Sequence, residues 1–287
     1  MNVIETVEGA PLKVERVGDF QLITFNQPAL RNPLGPEVVA GLTQALFAAE
    51  GDDTIRAIAI RGEGAVFSSG GNLGNFEERI KTPLNADGGD PIAQSNRRFG
   101  TFLERLTRFP KPVVVAAHGA AMGGGAGLVC AADISIACAG TRFSFTEASL
   151  GLVPAQILPF VVARIGSQKA RRLMLSAERF DAEVAVHLGL VDFLVPDMRA
   201  LRERLVEVLD GIGRCAPGAL VATKRLALRC AGAEPSSAGG MSKLLDDAAF
   251  DFAVQMRGEG AEGVRAARAK RDPAWKVSFD SGALADW

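Results

Sequence analysis

Apolar positions, many of them β-branched or aromatic, recur through the runs Leu12 to Val17 and Phe20 to Asn26, with Gly18 and Asp19 between the two. Such runs mark strands, and a glycine-containing turn dipeptide marks a hairpin, so this segment reads as an antiparallel pair. From Pro36 the pattern changes. The run "PEVVAGLTQALFAAE" spaces its apolar residues three and four apart behind a proline suited to a first helical turn. "IRAIAIRG", "PVVVAAHG" and "DISIACAG" read as further strands, two of them too apolar to carry a wet face and so expected at the centre of a sheet covered on both sides. "TRFSF" adds another alternating run. The polar, glycine-rich residues 85–91, "NADGGDP", read as a mobile loop, and "IAQSNRRFGTFLERL" after them as a helix. The pattern is α/β up to residue 198 and mostly helical beyond it, which divides the chain into a core of residues 1–198 and a helical region of residues 199–287.

Two strand ends run straight into glycine. One is "AVFSSGGNL", where Ser69, Gly70 and Gly71 turn the chain; the other is "KPVVVAAHGAAM" leading into Gly123, Gly124 and Gly125. Glycine lets backbone approach a ligand closely, and a helix that starts there aims unpaired N–H groups outward. Two such amides on one oxygen form an oxyanion hole, from which losing one donor costs on the order of 2.7 to 4 kcal/mol of transition-state stabilisation. Taken singly, each junction reads first as a tight turn with close helix packing, and it is the two together that point to a site.

Composition narrows the chemistry. A formal net charge of −1 over 287 residues gives no reason to propose nucleic acid or an anionic membrane as partner. No run is long enough to span a bilayer, and "MNVIETVEGA" lacks a signal-peptide pattern. Cys130, Cys138, Cys215 and Cys230 lack metal spacing and read as free, mostly buried thiols in a reducing cytoplasm. With only His118 and His187, a histidine triad or zinc site has little material, and no metal is expected. A dinucleotide fold would need a third glycine where Leu128 stands and a longer crossover helix before Asp133, so that reading fails.

The succession "FSSGGNL", "KPVVVAAHGAAMGGGAGLVCAADISIA", "FSFTEASLGLVP", "GLVDFLVP" and "EGVRAARAKRDPAW" resembles the crotonase family of enoyl-CoA hydratases and isomerases, from about residue 13 to 275. The resemblance implies an α/β fold, a spiral of β-β-α units with a C-terminal helical region that builds homo-trimers, often stacked as hexamers. It implies an acyl-CoA thioester as substrate, with CoA part of the substrate and no separate cofactor. Its carbonyl would sit between the backbone amides of Gly71 and Gly124. Ser69 would lie along the CoA path through its backbone, and Arg31 and Lys270 would approach the CoA phosphates or adenine.

Departures from the pattern sharpen the expectation. Hydratases of the family usually place one glutamate two residues after the triple glycine, where this chain has Gly127, and a second where it has Glu147. Asn72 stands where aspartate is common. A single carboxylate is thus left as acid/base, and burial among apolar neighbours would raise its pKa toward working pH. Gly127 and the "SLGLVPAQILPF" segment resemble the methylglutaconyl-CoA and isohexenylglutaconyl-CoA hydratase branch, which implies a branched enoyl-CoA bearing a second carboxylate. Asn96, Arg97 and Arg98 are candidates to meet that carboxylate, and Gln156 to line the acyl pocket; a solvated helix face is the alternative for the arginines. A Δ3,Δ2-enoyl-CoA isomerase, which also needs one shuttling carboxylate, and a non-catalytic acyl-CoA binding homologue remain as other readings.

Overall fold

The computed structural model describes residues 2–3, 10–72, 74, 80–232, 240–285 and 287. Its strands are β1 (Asn2–Val3), β2 (Leu12–Val17), β3 (Phe20–Phe25), β4 (Pro33–Leu34), β5 (Ala57–Gly62) and β6 (Gly70–Gly71). Then follow β7 (Val113–Ala117), β8 (Ala120–Met122), β9 (Ile134–Cys138), β10 (Arg142–Ser144), β11 (Phe180–Asp181) and β12 (Phe193–Val195). The helices are α1 (Pro36–Glu50), α2 (Pro91–Arg108), α3 (Gly124–Ala131), α4 (Leu158–Ile165) and α5 (Ser167–Ser176). They continue as α6 (Ala182–Leu188), α7 (Met198–Gly213), α8 (Pro217–Gly232), α9 (Gly240–Arg257) and α10 (Glu259–Arg268).

Seven strands form the main sheet in the order β1-β2-β3-β5-β7-β9-β12. The hairpin is as the two runs and their turn dipeptide predict: β2 and β3 pair antiparallel from Leu12↔Phe25 to Val17↔Phe20, and Gly18 takes a positive φ in the turn. From β3 onward the neighbours are parallel. Parallel strands need long crossovers, and the chain supplies them as repeated units, β3-β4-α1, β5-β6-α2, β7-β8-α3 and β9-β10-α4. In each unit the long strand joins the main sheet, while the short second strand joins a small sheet, β11-β10-β8 or β4-β6. This is the β-β-α spiral.

The central strands are covered on both faces, as their apolar runs require. Successive side chains point to opposite faces. Ile58 and Ile60 of β5 therefore join Leu42, Leu46, Phe102 and Leu106 on the α1 and α2 side. Ala57 and Ala59 join Leu201, Leu205 and Leu209 of α7 on the other. Thus α7 shares a core with the sheet. Cys130 and Cys138 are buried, but Cys215 and Cys230 are exposed, because they fall just after α7 and on the outer face of α8; the expectation of mostly buried thiols holds for two of the four. Residues 85–90 form a hydrogen-bonded turn, and Asp90 caps α2 by accepting from the N–H groups of Ile92 and Ala93. Leu73, the last residue of the first glycine motif, lies outside the described residues. Among the described residues, no helix is long and apolar enough to cross a membrane, and no three His, Cys, Asp or Glu side chains could hold a metal.

Candidate active site

The two glycine junctions are stitched together by backbone. The Ser68 N–H donates to Ala120 O at 3.0 Å and the Met122 N–H donates to Ser68 O at 3.1 Å. The Ser68 hydroxyl donates to Asn32 O at 2.8 Å and accepts from the Gly70 N–H at 3.1 Å. Gly70 has φ +86°, and a β-carbon there would strike the Met122 carbonyl and lie 3.4 Å from the Gly124 nitrogen. Only glycine permits that approach, which seats Gly70 and Gly71 against the start of α3. At that start, the Gly127 N–H makes the first intrahelical bond, to Gly123 O at 2.9 Å, so the amides of Gly124, Gly125 and Ala126 precede the helical ladder.

Strand β10 brings the acid to the same place. It pairs in parallel with β8, Ser144 opposite Met122, and Ser144 O accepts from the Gly123 N–H at 2.8 Å. Glu147 follows on a single 3-10 turn. Its Oε1 lies 2.8 Å from the point where a β-carbon on Gly123 would stand, and its Oε2 is buried with no hydrogen-bond partner among the described residues. Burial therefore pushes the Glu147 carboxyl above its ordinary value, opposed only by its own backbone N–H. A carboxylate seated this way is neither a helix cap nor a surface charge, and it keeps its proton to higher pH than a free glutamate does.

A cavity of about 1080 Å³ opens onto Glu147, and Ser69, Gly71 and Gly124 line it. Of the other residues singled out from the sequence, Gln156, Asn96 and Arg98 line it too. The Gln156 carboxamide lies so close over Gly100 that a β-carbon there would sit 2.8 Å from its Cδ. Gly127 does not line the cavity: a β-carbon on it would stand 2.8 Å from the Ile157 Cβ, because α3 packs there against the start of α4. Arg97 is also outside the lining, held by Glu104 at 3.1 Å and by the Thr101 hydroxyl at 3.0 Å along its own helix.

Arg31 and Lys270 lie outside the cavity lining as well, both exposed and both with positive φ. Arg31 contributes through its backbone, its carbonyl accepting from the Ser69 N–H at 2.8 Å. His118 is buried against Trp287, and its Nε2 is 2.8 Å from Gly64 O. Burial holds its pKa down. Asn72 Oδ1 accepts from the Gly74 N–H at 2.8 Å, a loop-shaping bond. The sequence reading missed Phe99, whose ring stands 3.2 Å from a β-carbon built on Gly124, and the whole α1 wall of the cavity. A signal existed in Phe47, an apolar residue on the outward face of an amphipathic helix.

With that geometry in place, the comparisons agree. The family described as Enoyl-CoA hydratase/isomerase matches residues 17–276. The chain is 34% identical over 263 residues to a putative enoyl-CoA hydratase of Thermus thermophilus, covering 91% of this chain and 99% of that protein. It is 30% identical over 215 residues to 2,3-dehydroadipyl-CoA hydratase of Escherichia coli, covering 75% of this chain and 80% of that one. An enoyl-CoA hydratase/isomerase structure from Marinobacter aquaeolei matches with a TM-score of 0.87 and 38% identity, over 93% of this chain and 99% of that one. The chain belongs to the enoyl-CoA hydratase/isomerase family of the crotonase superfamily, and is an enzyme of that chemistry.

Proposed function

We propose that the protein adds water to a branched α,β-unsaturated acyl-CoA of the glutaconyl type, with Glu147 as its sole acid/base. The observation that carries this is the unpartnered Glu147 carboxylate against Gly123, at the mouth of a helix whose first amides are outside the ladder. In the reaction the thioester oxygen takes hydrogen bonds from the Gly71 and Gly124 N–H groups. Glu147 removes a proton from water as the oxygen bonds to the β-carbon. The π electrons move to the thioester oxygen as an enolate, and Glu147 returns the proton to the α-carbon. The enolate charge is met by fixed dipoles that need no reorganisation. CoA enters as part of the substrate, along the Ser69 backbone, with Arg31 and Lys270 as cations for its phosphates.

The second carboxylate of the substrate is assigned to Arg98, which lines the cavity, with Asn96 beside it. Arg97 is engaged elsewhere. The Escherichia coli relative, named for a dicarboxylic acyl-CoA, supports this substrate class. Purified protein is to be given crotonyl-CoA, 3-methylglutaconyl-CoA and 3-hexenoyl-CoA while the enoyl-thioester absorbance is followed. Hydration loses absorbance, and Arg98→Ala lowers the preference for the glutaconyl substrate while Arg97→Ala does not. Equal preference in Arg98→Ala and the parent ends the assignment. Gly127 favours a second reading, the Δ3,Δ2-isomerase, since proton shuttling between two carbons also needs one carboxylate; 3-hexenoyl-CoA would then gain absorbance.

We also propose assembly as a trimer or hexamer through the helical C-terminal region. Phe250 and Phe252 on α9, 70% and 69% exposed in the single chain, support a partner surface there. Sedimentation of the purified protein tests it, and a monomer at micromolar concentration overturns it.

A further inference from the structure

The cavity does not end at the acid. From the Glu147 and Gly124 end it continues between α1 and α2. Pro36, Ala40, Thr43 and Phe47 form one wall, and Arg98, Phe102 and Arg105 the other. The α1 positions are spaced three or four apart, one face of a helix, and the twelve residues from Pro36 to Phe47 span about 16 Å at the α-helical rise. Phe99 and Leu34 stand at the near end, both within 3.3 Å of a β-carbon built on Gly124. At the far end the Arg105 guanidinium carbon lies over the Phe47 ring, 3.2 Å from its centroid, and the guanidinium is held there by Glu50.

The lining is apolar where solvent-facing residues should be polar. Phe47, Ile80, Leu150 and Val153 all face this cavity, and each is more than half exposed. Exposed apolar surface gathered around one concavity marks a place that an apolar ligand covers. A short acyl group would reach only the near end.

We infer that the arm between α1 and α2 takes a hydrocarbon branch of the acyl group about a dozen carbons long, and that the Arg105–Phe47 stack sets its far limit. The inference rests on the acyl-CoA reading above and adds the length of the acyl group. An extended chain advances about 1.2 Å per bond, as the span of roughly 3.5 Å for a three-bond peptide residue implies. The 16 Å arm therefore accepts about a dozen bonds. The cation over Phe47 is already paired with Glu50, so the arm ends on a paired cation and not on a free charge.

The experiment is a length series. kcat/KM is measured on trans-2-enoyl-CoAs of increasing length from the C4 compound, and dissociation constants on the saturated acyl-CoAs by calorimetry. Parent protein is compared with Ala40→Phe, which narrows the arm from an exposed helix position, and with Phe47→Ala, which opens its end. Dissociation constants are expected to tighten by about two- to fourfold per added methylene until the arm is filled, as burial of a methylene implies. Ala40→Phe is expected to lower the long-to-short kcat/KM ratio at least tenfold, and Phe47→Ala to shift the optimum to longer chains. Binding that is independent of length, or a ratio that Ala40→Phe leaves unmoved, overturns the inference. Length-dependent binding without turnover supports the arm while counting against the hydratase reading, so the two can fail separately.

Discussion

The Ile157 side chain stands where an acid on Gly127 would have to go: a β-carbon built on Gly127 lies 2.8 Å from the Ile157 Cβ. Position 127 is therefore more than a vacant ligand position. Ile157 is 3% exposed and belongs to the core that holds α3 against α4. Restoring the second glutamate of the two-carboxylate pattern alone is expected to fail. Gly127→Glu overpacks the contact and buries a charge, lowering Tm by roughly 3 to 10 °C. Crotonyl-CoA hydration does not rise. Pairing it with Ile157→Ala relieves the clash and returns part of the Tm. A Gly127→Glu protein with parental Tm and faster hydration would contradict this packing account.

Glu147 carries opposite signs for activity and stability. Glu147→Gln removes the proposed acid/base and is expected to lower kcat by about 10² to 10⁴. Stability should move the other way. The folded state raises the Glu147 pKa above its ordinary 4.5, so it binds the proton more tightly than the unfolded chain does. Stability accordingly falls as pH rises from 4.5 through the folded pKa, and stays lower above it. The glutamine variant escapes that loss. Its Tm is expected to exceed the parent's at pH 7 to 8, with the difference closing by pH 4.5. The acid limb of kcat/KM in the parent should lie above 4.5 for the same reason. Scanning calorimetry across pH tests the first point and a pH–rate profile the second.

Much of this was legible in the chain because it repeats a period or a motif. The hairpin β2–β3, the helix α1 and the apolar strands β5, β7 and β9 each span at least five residues, enough for a pattern of residue types to register. The strands β4, β6, β8 and β11 have two or three residues, too few for any period, and their pairing depends on neighbours distant in sequence. Glu147 and the glycines were legible as a motif. Ile157 opposite Gly127, and the cavity wall from Pro36 to Phe47, were not, because packing brings together segments that no local pattern links. Arg97 and Arg98 show the same limit: adjacent residues on a helix point in different directions, and one is paired with Glu104 while the other lines the cavity.

Gly123 and Gly124 should respond differently to one methyl group. Gly123 has φ +46°, where an L-residue costs about 1 to 3 kcal/mol, and its new β-carbon would press on Glu147 Oε1. Gly123→Ala is expected to lose activity by about as much as removing the acid, roughly 10² or more. The nearest atoms to a β-carbon on Gly124 are the tips of Phe99 and Leu34, at 3.2 and 3.3 Å. Those side chains can give by a few tenths of an ångström. Gly124→Ala should therefore fold normally and show the smaller loss. Steady-state kinetics and thermal melts of the two variants side by side check the order, and the reverse order would mean that Glu147 does not depend on Gly123 for its position.

The helical region is tied to the sheet by a buried pair, and breaking one side should cost more than removing both. Lys224 on α8 donates to Asp133 at 2.6 Å and to Lys111 O at 3.2 Å, while Asp133 also accepts from the Val113 N–H at 2.8 Å. Burial pushes the Asp133 carboxyl up and the Lys224 ammonium down, and each pulls the other back toward its charged form. With Lys224 only 10% exposed, Lys224→Met leaves a carboxylate beside β7 and β9 without its cation. The expected loss is about 3 kcal/mol, at the low end for a buried pair because Asp133 keeps a backbone donor and some solvent. Adding Asp133→Asn keeps the acceptor for Val113 and removes the orphan charge, so the double variant should be more stable than Lys224→Met alone. Urea unfolding of the parent, the two single variants and the double variant gives the coupling. A coupling near zero would mean that α8 is held by its apolar contacts and that the pair follows the packing.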